Sequence, residues 1–242
     1  KIFNTWNMKK PLIKTLVCIG LLIGSHHFIN AQEQESFQKL VKLPVREAAY
    51  DSYLALMRIN IEQSRKEDGN ISFTLFGKDG DYTVYLLERF KNKAAWEEHK
   101  KSVYARSTDA ISPAATMHLS EETILKEIPE IPAADTEIVI PEENTKNIIT
   151  WFTVQPTATT AFIEAMSKAI PKARDTEENL GYNIYQNAED PNKFIVIERW
   201  RNPEVYQNYL QSEYSKKLNQ EVEGLLTKED KLKREVLKNI SE

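Results

Sequence analysis

One segment of this chain occurs twice. YLLERFKNKAAWEEHKKSVY, residues 85–104, is answered by VIERWRNPEVYQNYLQSEY, residues 196–214. A shift of 110 positions lays Glu88 on Glu198, Arg89 on Arg199, Phe90 on Trp200, Asn92 on Asn202, Trp96 on Tyr206, Ser102 on Ser212 and Tyr104 on Tyr214. Such self-similarity means two copies of one supersecondary unit, and it constrains the fold more than any other feature.

Each copy reads as β-α-β-β-α-β. In the first, FQKLVKLPV (37–45) is a strand, and Tyr50, Leu54, Met57 and Ile61 recur at helical spacing. That helix closes at Glu67-Asp68-Gly69, where Gly69 is expected to take a positive φ. NISFTLF (70–76) and YTVYLLERF (82–90) form a hairpin turned by GKDGD. A second helix is predicted from Lys93 to about Arg106, and a closing strand around Thr136 to Ile140.

The second copy follows suit. NIITWFTV (147–154) leads to a helix from about Thr157 with Phe162, Met166 and Ala169 on one face. After Gly181, YNIYQ and KFIVIERW make a hairpin across Asp190-Pro191-Asn192. A helix runs from Pro203 to beyond Leu218, and KREVLKNI (233–240) is the last strand. Pro129, Pro132 and Pro141 mark the junction, giving domains of 37–141 and 145–242.

This order predicts an α+β protein of two ferredoxin-like halves, each an antiparallel sheet with its helices on one face. Val84 and Leu86 point one way and Tyr85 and Leu87 the other; Phe194 and Val196 likewise oppose Ile195 and Ile197. Both sheet faces are therefore apolar, and the face without helices needs a cover. At about 25 cal/mol per Å2, burying a few such side chains is worth several kcal/mol. The sister half is the natural cover, so the two sheets are expected to pack face to face as an intramolecular barrel.

MKKPLIKTLVCIGLLIG from Met8 combines lysines with a short apolar run, and Ala31 precedes a candidate cleavage point. Residues 8–31 thus read as a signal peptide, after seven upstream residues, and the chain is expected to be periplasmic or secreted with no retained membrane segment. The first 31 residues hold four of the 32 Lys and Arg and none of the 36 Asp and Glu, so the remainder carries a net charge of −8. That acidity argues against nucleic acid as a partner. Cys18 is the single cysteine, so beyond the leader there is no disulfide and no cysteine ligand.

With its Gly69 hairpin ending in Glu88-Arg89-Phe90 and its Gly181 hairpin ending in Glu198-Arg199-Trp200, each leading into an aromatic-rich helix, the chain resembles a tandem member of the antibiotic biosynthesis monooxygenase family, in the dimeric α/β barrel group. The resemblance implies a cavity between sheet and helices in each half. Many relatives carry a histidine nine residues after the hairpin's terminal aromatic; here the count from Phe90 reaches His99, and that from Trp200 reaches Tyr209. The first half is therefore the expected catalytic half. The family chemistry it implies uses no metal, flavin or other cofactor: a base deprotonates a phenol or quinol, and the anion reacts with oxygen. In that scheme His99 is the base and Arg89 steadies the developing charge. Tyr85, Trp96 and Tyr104, with Trp200 and Tyr209 in the second half, would line aromatic-binding walls.

The haem-degrading pattern of a tryptophan and, ten residues on, a histidine is absent, since these positions hold His99 with Asp109 and Tyr209 with Asn219. His99 and His118 stand 19 apart without ligand spacing, which argues against a metal site. No glycine cluster forms a phosphate loop or a nucleophile elbow. Two functions remain: a cofactor-independent monooxygenase acting on a small aromatic such as a quinol, or a non-catalytic barrel that binds a small hydrophobic ligand or an interaction partner. Further association between chains is compatible with either.

Overall fold

The computed structural model describes residues 35–118, 120–134, 145–228 and 232–242. The signal peptide expected at 8–31 and the strand expected at 136–140 lie outside the described residues. In chain order the elements are β1 (Phe37–Pro44), α1 (Tyr50–Ser64), β2 (Asn70–Lys78), β3 (Asp81–Phe90), α2 (Lys93–His99), α3 (Val103–Ala115) and β4 (Glu121–Glu127). The second half supplies β5 (Lys146–Thr153), α4 (Thr159–Arg174), β6 (Asn179–Asn187), β7 (Lys193–Trp200), α5 (Pro203–Gln211), α6 (Glu213–Glu223) and β8 (Leu232–Asn239). None of the described helices is long and apolar enough to cross a membrane.

The eight strands close one antiparallel barrel in the order β1-β3-β2-β8-β5-β7-β6-β4, with β4 returning to β1. Each half contributes a four-stranded ferredoxin-like sheet. The sheets meet at two short seams, β2 with β8 (Phe76 opposite Asn239) and β4 with β6 (Leu125 opposite Asn187). Pairing edge to edge as well as covering each other's faces leaves neither sheet a free edge.

Strand alternation sorts the side chains into three cores. Leu40, Phe76, Tyr85, Leu87 and Leu125 meet Ile149, Tyr185, Ile195, Ile197 and Leu237 inside the barrel. Val84 and Leu86 face outward against Tyr53, Leu54, Met57 and Ile61 of α1. Phe194 and Val196 pack on Phe162, Met166 and Ala169 of α4. The barrel core draws equally on both copies, which is why the segment is duplicated: each half buries the apolar face that the other exposes.

Three local expectations are corrected. The closing strand of the first half is β4, EETILKE, whose charged residues hide its alternation. Gly69 does not take a positive φ; among the described residues the glycine that does is Gly80, at φ 70°, in the β2–β3 turn. Gly69 is instead a point of close approach, since a Cβ there would fall 2.5 Å from the Cβ of Ala95 on α2. Finally, the long helix expected after each hairpin is two helices. Ser102 and Ser212 hold extended backbone, with ψ 155° and 149°, and accept hydrogen bonds from Ala105 N and Ser215 N as N-caps. Asn92 and Asn202 cap α2 and α5 in the same manner, accepting from Ala95 N and Val205 N. These four residues belong to the repeat because they set where helices begin.

Candidate active site

The break at Ser102 ends α2 on His99, whose ring turns inward and is 3% exposed. Phe73 meets it edge-on at 5.4 Å and Phe90 lies 5.1 Å away, so the imidazole is wedged between rings from β2 and β3. Its Nδ1 lies 3.2 Å from Ser64 Oγ and 3.2 Å from Glu67 Oε1. Ser64 donates its proton to the carbonyl of Asn60 at 2.6 Å, so toward His99 it accepts. Glu67 as a carboxylate accepts only, and it also accepts from the Tyr104 hydroxyl. Two acceptors at Nδ1 fix the proton there and leave the lone pair on Nε2.

Among the described residues His99 makes hydrogen bonds through Nδ1 alone. The ring borders a cavity of about 310 Å3 between the β1–β3 face and helices α1 and α3. Val41, Leu43, Met57 and Leu86 give it apolar walls. Its hydroxyls are engaged elsewhere: Thr108 donates to Ala105 O at 2.8 Å and Ser112 to Thr108 O at 2.9 Å. Because Ser112's proton is committed, Tyr53 donates to Ser112 Oγ across 3.1 Å. Asn60 donates to Thr108 Oγ1 at 3.3 Å. The lining is thus more polar in composition than the apolar pocket expected, yet its polar groups are largely turned to one another.

A charged rim closes one side. Lys39, 5% exposed, sits 3.6 Å from Glu88 and 3.4 Å from Glu122, and Lys100 pairs with Asp109. Glu88 also accepts from Trp96 Nε1 at 2.7 Å, tying α2 to β3. Trp96 itself packs on Phe37 at 4.8 Å and beneath the Lys39 ammonium. On the far side of His99, Glu67 and Tyr104 open onto an outer cleft. His99 therefore stands between two clefts, the sheet-helix cavity on one side and the outer cleft on the other.

Not every expected residue joins this site. Tyr85 and Arg89 alternate with Leu86 and Glu88, so they lie on the barrel side of β3, behind the sheet from His99. Tyr85 packs in the barrel core, 5.8 Å from Trp151. Arg89 reaches Ala134 O at 3.3 Å and Glu127 at 3.7 Å. Neither shares the cavity, and Arg89 is not positioned to steady a charge beside His99. Tyr104 is near but holds Glu67 rather than walling the chamber. Glu67 was missed: it stands 32 residues from His99 in sequence, and the helix end between Ser64 and Gly69 is what brings it there.

The second half is built differently. Tyr209 stacks on Trp200 with ring centres 4.4 Å apart, flanked by Tyr206 and Tyr182, all buried. The Tyr209 hydroxyl donates to Tyr182 at 3.4 Å. At the position equivalent to His99, Tyr209 thus sits in an aromatic cluster, and a cavity of this half, about 290 Å3, lies between α4 and α6. Glu198 accepts from Trp200 Nε1 at 3.2 Å, and burial, offset by Arg234 and that hydrogen bond, pushes its carboxyl up to about 7. Among the described residues no group of three or more His, Cys, Asp or Glu side chains is arranged to hold a metal ion.

Comparison with known proteins agrees with this architecture. A candidate monooxygenase from Fusobacterium nucleatum superposes with a TM-score of 0.76 at 16% identity, over 86% of this chain and 93% of its own. A candidate monooxygenase from Lactobacillus acidophilus gives 0.75 at 18% identity, over 86% and 95%. An anthrone oxidase-like protein gives 0.60 at 10% identity, over 86% and 92%. At such identities the likeness shows the shared tandem fold. No curated protein sequence matches the chain. The model of the antibiotic biosynthesis monooxygenase family matches twice, at residues 37–110 and 147–221, one copy on each half of the barrel and together more than half of the sequence. The chain belongs to the antibiotic biosynthesis monooxygenase family.

Proposed function

We propose that this protein is a monooxygenase that oxidises a small hydroxylated aromatic, such as a quinol, in the first-half cavity, with His99 as general base and without metal or flavin. One observation carries the reading: Glu67 and Ser64 hold the His99 proton on Nδ1, leaving Nε2 as the ring nitrogen free to accept a proton, on a residue that walls a largely self-satisfied chamber. A volume of about 310 Å3 lies at the lower end of ligand pockets, roughly 300–1,000 Å3, and suits one or two fused rings.

In this scheme Nε2 takes a proton from a ring hydroxyl, and the Glu67 carboxylate stabilises the imidazolium that forms. The aryloxide anion is electron-rich enough to react with oxygen directly. One oxygen atom enters the ring and the other leaves as water, while the quinol becomes a hydroxyquinone. The substrate supplies all four electrons, so no external reductant enters the balance. His99 then returns the Nε2 proton to the oxygen that departs as water, which resets the ring with its proton on Nδ1 beside Glu67. Trp96 keeps α2 in place through Glu88. An exported location, proposed from residues 8–31, belongs to the same reading.

Oxygen uptake by the purified protein with a panel of quinols, compared with His99→Ala, tests this. General-base loss should lower turnover by about 10²–10⁴-fold. Uptake that is absent leaves instead a barrel that binds a ligand without oxidising it, and uptake that survives the substitution unchanged removes His99 as the base.

A further inference from the structure

A second cavity of about 310 Å3 opens at one mouth of the barrel, and it belongs to neither sheet-helix chamber. Both halves build it: Leu40, Lys42, Glu121 and Thr123 come from β1 and β4, while Trp151, Lys193, Ile195 and Lys233 come from β5, β7 and β8. It exists because the halves close into one barrel. The alternation that sends Leu40, Ile149 and Ile195 into the barrel core places Lys42, Trp151 and Lys193 nearer the rim.

Its chemistry is uneven. Leu40 and Ile195 make an apolar floor and the partly buried Trp151 a flat wall. The mouth carries three ammonium groups against one carboxylate, in a chain whose net charge is negative. Lys42 and Glu121 answer each other at 2.6 Å. Among the described residues, Lys193 and Lys233 have looser neighbours outside the cavity, Asp190 at 3.4 Å and Glu235 at 3.6 Å. An ammonium has three N–H donors, so each retains capacity for another acceptor. Lys233 leans over the Trp151 ring, 5.1 Å from its centre, which brings positive charge to the wall against which a ligand would lie.

We propose that this mouth is a second ligand site, taking a small planar aromatic that carries one carboxylate. The ring lies along Trp151 above Leu40 and Ile195, and the carboxylate faces Lys193 and Lys233. A cationic ligand is disfavoured by the three ammonium groups, and a purely apolar one leaves the lysines with nothing to answer. The site is independent of the chemistry at His99, from which the barrel wall separates it.

The test is calorimetric titration of the full chain with 2-naphthoate and with its uncharged counterpart 2-naphthalenemethanol, with the Trp151 indole signal followed by NMR. The expected result is one naphthoate per chain, binding at least tenfold tighter than the alcohol and weakening with added salt. Lys193→Gln combined with Lys233→Gln should lower naphthoate affinity at least fivefold, and Trp151→Leu should lower that of both probes. These positions are partly exposed, so circular dichroism can verify that the variants are folded. His99→Ala should leave binding unchanged. No naphthoate binding, equal binding of acid and alcohol, indifference to the lysine substitutions, or loss of binding in His99→Ala would each overturn the proposal.

Discussion

Ile148 stands directly across the β5–β7 ladder from Glu198, whereas the matching partner of Glu88 on β1 is Lys39. The two glutamates are sequence equivalents in different surroundings: Glu88 has an ammonium at 3.6 Å, and Glu198, 4% exposed, faces an aliphatic side chain. Burial lifts the Glu198 carboxyl from near 4.5 to about 7, only partly opposed by Arg234 and Trp200. The folded state therefore holds this proton more tightly than the unfolded chain does. Its contribution to stability is fully present below about pH 4.5 and is lost as pH rises through about 7. The loss is on the order of 3 kcal/mol. Urea denaturation from pH 4.5 to 8 should show this decline, and Glu198→Gln should flatten it.

Glu67→Gln should impair turnover without unfolding the protein. An amide at this place can donate as well as accept, so it no longer enforces the proton on Nδ1. The expected loss in kcat is roughly ten- to a hundredfold, smaller than that of His99→Ala, with KM nearly unchanged. Glu67→Asp, which keeps the carboxylate, should recover part of the loss. A purely structural role would instead lower the melting temperature of both variants.

Gly69→Ala drives a methyl group to within 2.5 Å of Ala95 Cβ. The cost should be about 1–3 kcal/mol, and oxygen uptake should fall with it, since Ala95 and His99 share α2. Ala95→Gly in the same chain removes the collision. A double-mutant cycle by chemical denaturation should show strong favourable coupling between the two sites.

Tyr209→Ala empties part of the aromatic stack in the second half. The loss of stability should be about 3–5 kcal/mol by urea denaturation. Oxygen uptake per folded molecule should stay as in the parent protein, because the His99 chamber lies in the other half.

Much of this was legible in the sequence. The 110-residue shift and the two-sided apolar strands, such as Val84-Tyr85-Leu86-Leu87, predict the barrel, because patterning at period two reports burial on each face independently. The same alternation, carried two residues further, sends Arg89 to the side of Tyr85 and away from Glu88; the resemblance to the family obscured that. Ser102 and Ser212 were visible as repeated residues, but their role as caps within an apparently continuous helix depends on backbone geometry. β4 escaped notice because four of its seven residues are charged, and its pairing with β1 and β6 is decided by the barrel as a whole. His99 was singled out by its place in the motif, nine residues after Phe90. Glu67 was not, since a contact across 32 residues has no local signature.

The central claim is that His99 keeps its proton on Nδ1 and leaves Nε2 as the proton acceptor. Long-range proton–nitrogen NMR of the imidazole, recorded where the ring is neutral, reads this directly. The prediction is a protonated Nδ1 and a free Nε2 in the parent protein, with the preference weakened in Glu67→Gln. A neutral His99 that carries its proton on Nε2 would contradict it.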